Sequence, residues 1–338
     1  MQYKLFVLLL LTLTGITLAQ AQAQVEDEPV PLGLMLEDYK YPFAVSKIQL
    51  NIQGQQLTMA YMDVKPETPN GKTVMLLHGK NFCGAYWAQT ATDLSKDGYR
   101  VIIPDQIGFG KSSKPTDIQY SFQMLAQNTK AILDALQITK VTVLGHSMGG
   151  MLATRFALMY PDVVEKLVLE NPIGLEDWKT VVPYQSIDDW YAGELQQNYE
   201  SLKNYQIKNY YHMTWRYEFN EWLRIPAGWT MNKEACPTIA KSAALTYDMI
   251  FTQPVCYEFQ NLKMPVLLMI GQEDRTALGK AKAPKAIQDK LGNYPVLGRE
   301  TAKKIKNAKL IEINGVGHLP HIEQYDSFIV PLKAFLKK

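Results

Sequence analysis

Ser147 lies at the centre of residues 145–149, which read Gly-His-Ser-Met-Gly and directly follow an apolar run at 141–144. A serine flanked in this way, after a strand and before a helix, is typical of a nucleophile elbow, a sharp turn that exposes the hydroxyl. The segment 150–160 has few polar residues and precedes Pro161, which indicates a buried helix. The sequence therefore predicts a nucleophilic serine on a strand-to-helix turn.

A serine hydroxyl needs an aligned histidine to accept its proton, and behind such an elbow that histidine follows the serine along the chain. His318 ends the stretch Gly-Val-Gly-His after the apolar run at 310–313, and the glycines let this loop turn back over the sheet edge. His212 lies among tyrosines and is interpreted as structural or substrate-facing. His321 starts the terminal helix and is expected to point away. His318 is the predicted base.

The acid that orients the base is expected in the turn after the apolar run at 266–270, which reads Gly-Gln-Glu-Asp-Arg. An aspartate held by backbone donors in such a loop stays ionised and fixes the imidazole tautomer. Asp274 is the predicted acid and Glu273 is the alternative. An aspartate in a turn also has an ordinary structural role, because its side chain bonds to nearby backbone.

The oxyanion that forms on an attacked carbonyl needs preorganised N–H donors. One predicted donor is the backbone N–H of Met148, directly after the nucleophile. The second is expected from the loop after the apolar run at 73–77, where the backbone N–H of Lys80 is preferred and that of Asn81 is the alternative. His78 in the same loop is expected to organise the loop by hydrogen bonding.

The elements that must position these groups alternate along the chain. Short strands are predicted at 48–52, 57–64, 73–77, 100–103, 140–144, 166–170, 266–270 and 310–313. A helix capped by Ser121 is predicted over 121–136. Consecutive apolar strands that alternate with helices predict a doubly wound α/β domain with a mostly parallel sheet. The core is assigned to 46–171 and 261–338, and the aromatic-rich segment 172–260 is predicted to be a helical cap over the sheet edge.

Taken together, these motifs resemble the α/β-hydrolase superfamily in its cap-bearing branch, from about Ser46 to the C-terminus. The resemblance rests on His78-Gly79, the elbow, the turn at 271–274, Gly317-His318, and the stretch 104–112, which looks like the family's D-x-x-G-x-G-x-S turn. In the family the turn that begins at Asp105 is structural. Two features depart from the pattern: the span 275–317 is long enough to extend over the pocket rim, and no proline follows His78-Gly79.

The resemblance implies carbonyl chemistry, because epoxide hydrolases and haloalkane dehalogenases of this superfamily use an aspartate where this chain has Ser147. The favoured function is a carboxylesterase acting through an acyl-enzyme on an apolar or aromatic ester. Most of the cap's tryptophans and tyrosines are expected to pack in its own core and a few to face the substrate, with Trp215 as the candidate to test. The alternatives are a carbon–carbon bond hydrolase, a small-peptide or amide hydrolase, and a ligand-binding protein that keeps the fold without turnover.

Composition narrows the expected partners. A net charge of +2 over 338 residues argues against a dedicated nucleic-acid-binding role, and a small-molecule ester is the expected partner. The sequence does not determine the oligomeric state. Cys83, Cys236 and Cys256 have no metal-ligand spacing, and no cofactor is implied. In an exported protein, Cys236 and Cys256 are a candidate disulfide pair, and Cys83 is then a free thiol.

The N-terminus is typical of an exported protein. One lysine precedes an apolar stretch from residue 5 to about residue 19, and small residues follow at the positions that a signal peptidase reads. Residues 1–23 are therefore predicted to be a signal peptide, with a periplasmic or secreted mature protein that has no stable membrane anchor. Residues 24–45 are acidic and contain prolines, which predicts an extended lead-in to the fold.

Overall fold

The computed structural model describes residues 29–338. The predicted signal peptide, residues 1–23, and the first five residues of the predicted lead-in lie outside the described residues. Between residues 29 and 338, no helix is both long enough and apolar enough to cross a membrane.

Eight strands in residues 29–338 form one sheet. They are β1 (Val45–Ile52), β2 (Gln55–Val64), β3 (Thr73–Leu77), β4 (Arg100–Pro104), β5 (Val141–His146), β6 (Val164–Glu170), β7 (Val266–Gly271) and β8 (Ala308–Ile313). Each predicted strand is present, and its ends lie within three residues of the predicted ends. Short runs of consecutive apolar residues form strands here because both faces of the sheet are covered.

The strand order across the sheet is β1-β2-β4-β3-β5-β6-β7-β8. β1 and β2 pair antiparallel with their neighbours, and every pair from β4 to β8 is parallel. The predicted α/β-hydrolase fold with a mostly parallel sheet is confirmed. Because parallel strands end at one edge of the sheet, the loops after β3, β5, β6, β7 and β8 gather there.

Eleven α-helices accompany the sheet in the described part of the chain. They are α1 (Ala88–Lys96), α2 (Phe122–Ala135), α3 (Met148–Met159), α4 (Ile187–Leu195), α5 (Tyr199–Asn209), α6 (Asn220–Met231), α7 (Cys236–Thr252), α8 (Lys285–Gln288), α9 (Tyr294–Lys304), α10 (Pro320–Glu323) and α11 (Tyr325–Lys337). The hydroxyl of Ser121 caps α2 by accepting the N–H of Met124 at 3.0 Å, as predicted from its position before the apolar pattern.

Two apolar layers cover the two faces of the sheet. Helices α2, α3 and α9 contribute to one layer, and α1 and α11 contribute to the other. Along β7, Leu268 and Ile270 join the first layer while Leu267 and Met269 join the second. Side chains of a strand point alternately to opposite faces, so a strand buried on both sides is apolar at every position.

Helices α4 to α7 lie between β6 and β7, within the segment 172–260 for which a cap is predicted. α4 packs on α7, and α5 packs on α6. Ser186 and Asp189 form a capping box at the start of α4: the Ser186 hydroxyl accepts the Asp189 N–H at 3.1 Å, and the Asp189 carboxylate accepts the Ser186 N–H at 3.1 Å. The insertion thus contributes helices and no strand in the described residues.

The lead-in attaches both to the insertion and to the core. The N–H of Leu32 donates to the carbonyl of Gly228 in α6 at 3.1 Å. The Tyr41 hydroxyl donates to the Asp105 carboxylate at 2.6 Å, and the same carboxylate accepts the N–H of Gly84 at 2.7 Å and of Lys111 at 2.7 Å. Asp105 is therefore a buried anchor for three segments, which agrees with the structural role that the resemblance implied.

The disulfide considered between Cys236 and Cys256 is not formed, and all three cysteines are free thiols. Cys236 opens α7, and Cys256 follows its end at Thr252. A helix rises about 1.5 Å per residue, so the 17 residues of α7 hold its two ends about 25 Å apart. A disulfide requires Cα atoms within about 7 Å of each other.

Candidate active site

Ser147 lies on the turn between β5 and α3 with φ 57° and ψ −122°. A positive φ is strained for a residue with a side chain and is retained where the surrounding structure enforces it. A Cβ added to Gly145 would lie 2.1 Å from the carbonyl oxygen of Gly149, and one added to Gly149 would lie 2.3 Å from that of Leu77. The two glycines are therefore required by the close approach of strand, turn and helix.

Ser147, His318 and Asp274 form a continuous hydrogen-bonded chain. The Ser147 Oγ lies 2.9 Å from His318 Nε2, and His318 Nδ1 lies 2.7 Å from Asp274 Oδ2. An ionised carboxylate only accepts, so Nδ1 carries a proton and, in the neutral imidazole, Nε2 is free to accept the serine proton. Ser147 is 6% exposed, and the other two residues are fully buried. This arrangement is suited to proton transfer from the hydroxyl to the ring.

Asp274 is held by donors from two loops. The side-chain amide of Asn171, directly after β6, donates to Asp274 Oδ2 at 2.8 Å, and the N–H of Thr276 donates to Oδ1 at 2.8 Å. The Asn171 Oδ1 in turn accepts the N–H of Gly271 at 2.9 Å. Asn171 thereby joins the ends of β6 and β7 and fixes the carboxylate that faces His318.

The loop that carries His318 is held on both sides of the imidazole. The Glu323 carboxylate accepts the N–H of Gly317 and of Leu319, each at 3.0 Å. The backbone N–H of His318 donates to the backbone carbonyl of Tyr210 at 2.8 Å. The Tyr210 ring stacks on the His318 imidazole, with ring centroids 4.9 Å apart. Burial raises the pKa of Glu323 to about 7, against the opposing effect of its two backbone donors.

The loop after β3 passes directly over Ser147. A Cβ added to Gly79 would lie 3.0 Å from the Ser147 Cβ. The Gln106 N–H donates to His78 Nε2 at 3.0 Å, so the other ring nitrogen carries the proton and donates to the Gly79 carbonyl at 2.9 Å. Carbonyl and N–H point in opposite directions across a trans peptide, so this bond also orients the N–H of Lys80. His78 organises the loop, as predicted.

His146 connects that loop to His318. Its Nε2 faces the His318 carbonyl at 2.8 Å and therefore donates, so Nδ1 accepts the hydroxyl proton of Tyr86 at 3.0 Å. The Tyr86 oxygen accepts the Gly79 N–H at 2.8 Å. Burial, reinforced by the neighbouring His318, lowers the pKa of His146 well below its ordinary value. A neutral imidazole thus joins the loop after β3 to the backbone of the proposed base.

A cavity opens onto Ser147. Three tyrosines contribute to its walls. Tyr205 lies in α5, Tyr210 directly follows α5, and Tyr247 lies in α7. The remaining lining residues are Lys80, Asn81, Ile173, Ile250, Thr276, Ala277 and Leu278. The last three belong to the long span after Asp274, so this span forms part of the pocket wall.

A few aromatic residues of the insertion face the cavity, as expected, but the candidate Trp215 is not one of them. Its indole N–H donates to the Asn220 side chain at 3.1 Å, and its ring packs on Tyr211 and Phe219 inside the insertion. Tyrosines line the Ser147 cavity instead. Of the tryptophans in the insertion, Trp190 stands behind Tyr247 with ring centroids 4.5 Å apart. No tryptophan lines the Ser147 cavity among the described residues, and Trp190 supports one of its tyrosines from behind.

The alternative candidates lie away from Ser147. Glu273 has its carboxylate 3.7 Å from His212 Nδ1 and 3.8 Å from Arg275, and the His212 side chain is 56% exposed. His212 is therefore mostly exposed, and it is not among the residues that line the Ser147 cavity. His321 is buried and bonds to Glu170 at 2.9 Å instead of to the serine. In residues 29–338, no cluster of three or more histidine, cysteine or acidic side chains is arranged to hold a metal ion.

This geometry agrees with the comparison to known families. The alpha/beta hydrolase fold family matches residues 72–325, which is more than half of the chain. The chain belongs to the α/β-hydrolase fold family. The match contains the serine on its elbow, the acid and the histidine in the order that the fold requires.

Individual members of the family resemble the chain to different extents. A solved structure of a probable hydrolytic enzyme from Pseudomonas aeruginosa PAO1 is 49% identical with a TM-score of 0.88, and the alignment covers 91% of this chain and 98% of that one. A 2-hydroxy-6-oxo-2,4-heptadienoate hydrolase from Pseudomonas putida is 37% identical over 31% of this chain and 39% of its own length. A haloalkane dehalogenase from Mycobacterium marinum is 28% identical over 44% and 53%. The chain thus spans about half or less of these two curated relatives.

Several residues of this α/β-hydrolase site were missed by the sequence reasoning, namely Tyr86, His146, Asn171, Tyr210 and Glu323. His146 and Asn171 were recognisable from the sequence, because each is a polar residue at the carboxyl end of a predicted central strand. Glu323 lies five residues after His318, within one short helix of it. Tyr86 and Tyr210 had no such signal, because their contacts with the site depend on tertiary packing.

Proposed function

We propose that the chain is a serine hydrolase that cleaves carboxylic esters through an acyl-enzyme. The observation that carries this proposal is the hydrogen-bonded chain from the Ser147 hydroxyl through His318 to Asp274. A serine activated in this way attacks a carbonyl carbon and forms an acyl ester with it. The largely apolar and tyrosine-lined cavity suits an ester with an apolar or aromatic body.

In the proposed reaction, His318 Nε2 takes the proton of Ser147 as Oγ bonds to the carbonyl carbon. The backbone N–H groups of Lys80 and Met148 donate to the oxyanion, a type of contact for which loss of one donor costs about 10²- to 10³-fold in kcat. His318 then gives the proton to the leaving alcohol as the ester bond breaks. Water repeats the sequence and releases the acid and the free serine.

The identity of the nucleophile separates ester cleavage from dehalogenation. Displacement of halide from an alkyl carbon in this superfamily uses an aspartate, which forms an alkyl ester with the substrate. Ser147 has no carboxylate to form that intermediate, so the partial similarity to the haloalkane dehalogenase from M. marinum does not favour halide displacement for this chain. We therefore propose acyl transfer rather than halide displacement.

Carbon–carbon bond cleavage is the second candidate, and the similarity to the heptadienoate hydrolase of P. putida favours it. Both reactions involve the same serine, histidine and acid and differ in the leaving group, which is an alkoxide in one case and a carbanion in the other. The similarity covers 31% of this chain. A similarity over this share of the chain does not by itself assign the substrate, because one fold supports many reactions.

The test compares two substrate classes on the purified chain and on Ser147→Ala. The substrates are short p-nitrophenyl esters and a vinylogous 1,5-diketone of the 2-hydroxy-6-oxodienoate type. We expect efficient ester turnover, little carbon–carbon cleavage, and a loss on the order of 10³- to 10⁶-fold on removal of the serine. Ester turnover that survives Ser147→Ala refutes the proposal. A strong preference for the diketone favours carbon–carbon bond cleavage as the function instead.

A further inference from the structure

The side chain of Lys80 is buried in the wall of the Ser147 cavity. The residue is 6% exposed, and its ammonium nitrogen lies 3.5 Å from the centre of the Tyr247 ring and 3.3 Å from Asn81 Oδ1. Tyr247 and Asn81 both line the cavity that opens onto Ser147. The ammonium group therefore lies beside the space that a substrate bound to Ser147 occupies.

This ammonium group has no anionic partner in direct contact. In the part of the chain that the structure describes, no carboxylate oxygen lies within 4.0 Å of it. A buried cation without a counter-ion is costly, and side chains of this kind are ordinarily paired. The contacts with the Tyr247 ring and with an amide oxygen compensate for only part of the lost hydration.

The surroundings of Lys80 contain few charges. Glu194 of α4 is the acid that acts on Lys80 from a distance, and it also lines a second cavity that shares Lys80 and Asn81 with the first. The titratable groups that line these two cavities with Lys80 from α5, the residue after it and α7 are tyrosines and the Cys236 thiol. Burial raises the pKa of Cys236, and it raises the pKa of Tyr210 and of Tyr247 well above the ordinary value. They remain neutral, so Lys80 is the one charged side chain among the described residues that line the Ser147 cavity.

We propose that the Lys80 ammonium group binds a carboxylate of the substrate, and that the substrates are esters that carry an anionic carboxylate in addition to the scissile bond. The inference rests on the proposed ester hydrolysis and specifies its substrate class. The carboxylate completes the missing ion pair, while the tyrosine and isoleucine side chains contact the apolar part. Charge-assisted bonds of this kind are among the stronger polar contacts in proteins.

The test uses pairs of substrates that differ in charge and share their shape. One member is the mono-p-nitrophenyl ester of a dicarboxylic acid from adipic to suberic acid, and the other replaces the free carboxylate by an isopropyl group. The readout is the ratio of kcat/KM for the anionic and the neutral ester, with hydrolysis measured in the presence of Ser147→Ala subtracted. We expect the anionic ester to be preferred by the wild type, and Lys80→Met to lower the ratio about 10- to 100-fold.

A second readout needs no variant. Burial lowers the pKa of Lys80 to about 8, so the ammonium loses its charge at mildly alkaline pH. The wild-type ratio should therefore fall between about pH 7 and about pH 9, while the ratio of Lys80→Met should stay constant. Any change in the catalytic groups that both esters share cancels in the ratio. If Lys80→Met does not fold, the pH dependence of the wild-type ratio decides whether the Lys80 ammonium binds the substrate carboxylate.

Lys114 offers a matched control. It is also 6% exposed, but its ammonium bonds to the carbonyls of Gly110 and Ser112 and lies outside the Ser147 cavity. Lys114→Met should keep the wild-type ratio. Equal use of both esters by the wild type, or an unchanged ratio in Lys80→Met, overturns the carboxylate site while ester hydrolysis stands. Absence of turnover on either ester together with an unreactive Ser147 overturns the proposed function itself.

Discussion

The Glu323 carboxylate holds the loop that carries His318. Replacing Glu323 by glutamine should reveal how much unfolding free energy the burial of this charge costs. In the wild type, its two oxygens accept the N–H groups of Gly317 and Leu319. Glutamine has one acceptor oxygen and one donor group, like a protonated carboxyl, so Glu323→Gln keeps one of these bonds and removes the charge. The variant therefore imitates the low-pH form of the wild type at every pH.

The size of the effect follows from the raised pKa. Burial shifts the pKa of Glu323 from 4.5 to about 7, and at about 1.36 kcal/mol per pH unit this corresponds to about 3 kcal/mol. The folded state binds the proton more tightly than the unfolded state, so this contribution is complete below about pH 4.5. It is lost as the pH rises through about 7. Relative to Glu323→Gln, the wild type should lose up to about 3 kcal/mol of unfolding free energy across this interval.

Urea unfolding of both proteins at several pH values from about 4.5 to about 8 measures this difference. Other titrating groups are common to both and cancel when the free energies are subtracted. Glu300→Gln, at an exposed position on α9, controls for the loss of one negative charge. A difference between wild type and Glu323→Gln that stays constant with pH refutes the assignment of a raised pKa to this carboxyl.

Further substitutions test the positioning groups. Asp274→Asn should lower kcat on the order of 10⁴-fold, as in other triads, because the wrong imidazole tautomer then faces Ser147; steady-state kinetics measures this. Tyr86→Phe removes the acceptor of the Gly79 N–H and the donor to His146. It should lower kcat about 10-fold or more with little change in KM, and it should cost about 1–3 kcal/mol in urea unfolding, because a buried N–H loses its partner.

The controls for these substitutions come from neighbouring positions. Glu273→Gln should keep the wild-type kcat, because this carboxylate faces His212 and Arg275. A loss in Glu273→Gln equal to that in Asp274→Asn contradicts the assignment of the acid. Tyr325→Phe is the matched control for Tyr86→Phe, because the Tyr325 hydroxyl contacts Asp93 and no residue of the loop after β3. Wild-type kcat in Tyr86→Phe contradicts the role given to the loop after β3.

Residues close in sequence to a strand end could be predicted because a parallel sheet brings all of its carboxyl ends to one edge. Ser147, Asp274 and His318 follow β5, β7 and β8, and in the structure His318 lies within hydrogen-bonding distance of both other side chains. The strands themselves were predictable for a similar reason, since short apolar runs separated by helices have few alternative arrangements.

The inner surface of the insertion could not be predicted in the same way. Its helices contain many aromatic residues, and sequence periodicity does not distinguish a tryptophan in the insertion's own core from one that lines a cavity. Trp215 packs inside the insertion, whereas Tyr247 reaches the cavity and lies over Lys80. The Lys80 side chain was missed for the same reason, because its burial depends on contacts with α7, far along the chain.

The most direct test of the proposed nucleophile is labelling with a fluorophosphonate, followed by mass spectrometry of the intact chain and of its peptides. We expect one adduct per chain on the peptide that contains Ser147, none on Ser147→Ala, and slow labelling of His318→Gln because the serine then lacks its base. Folded wild-type protein that remains unlabelled, or an adduct that persists on Ser147→Ala, would contradict the assignment of Ser147 as the activated nucleophile.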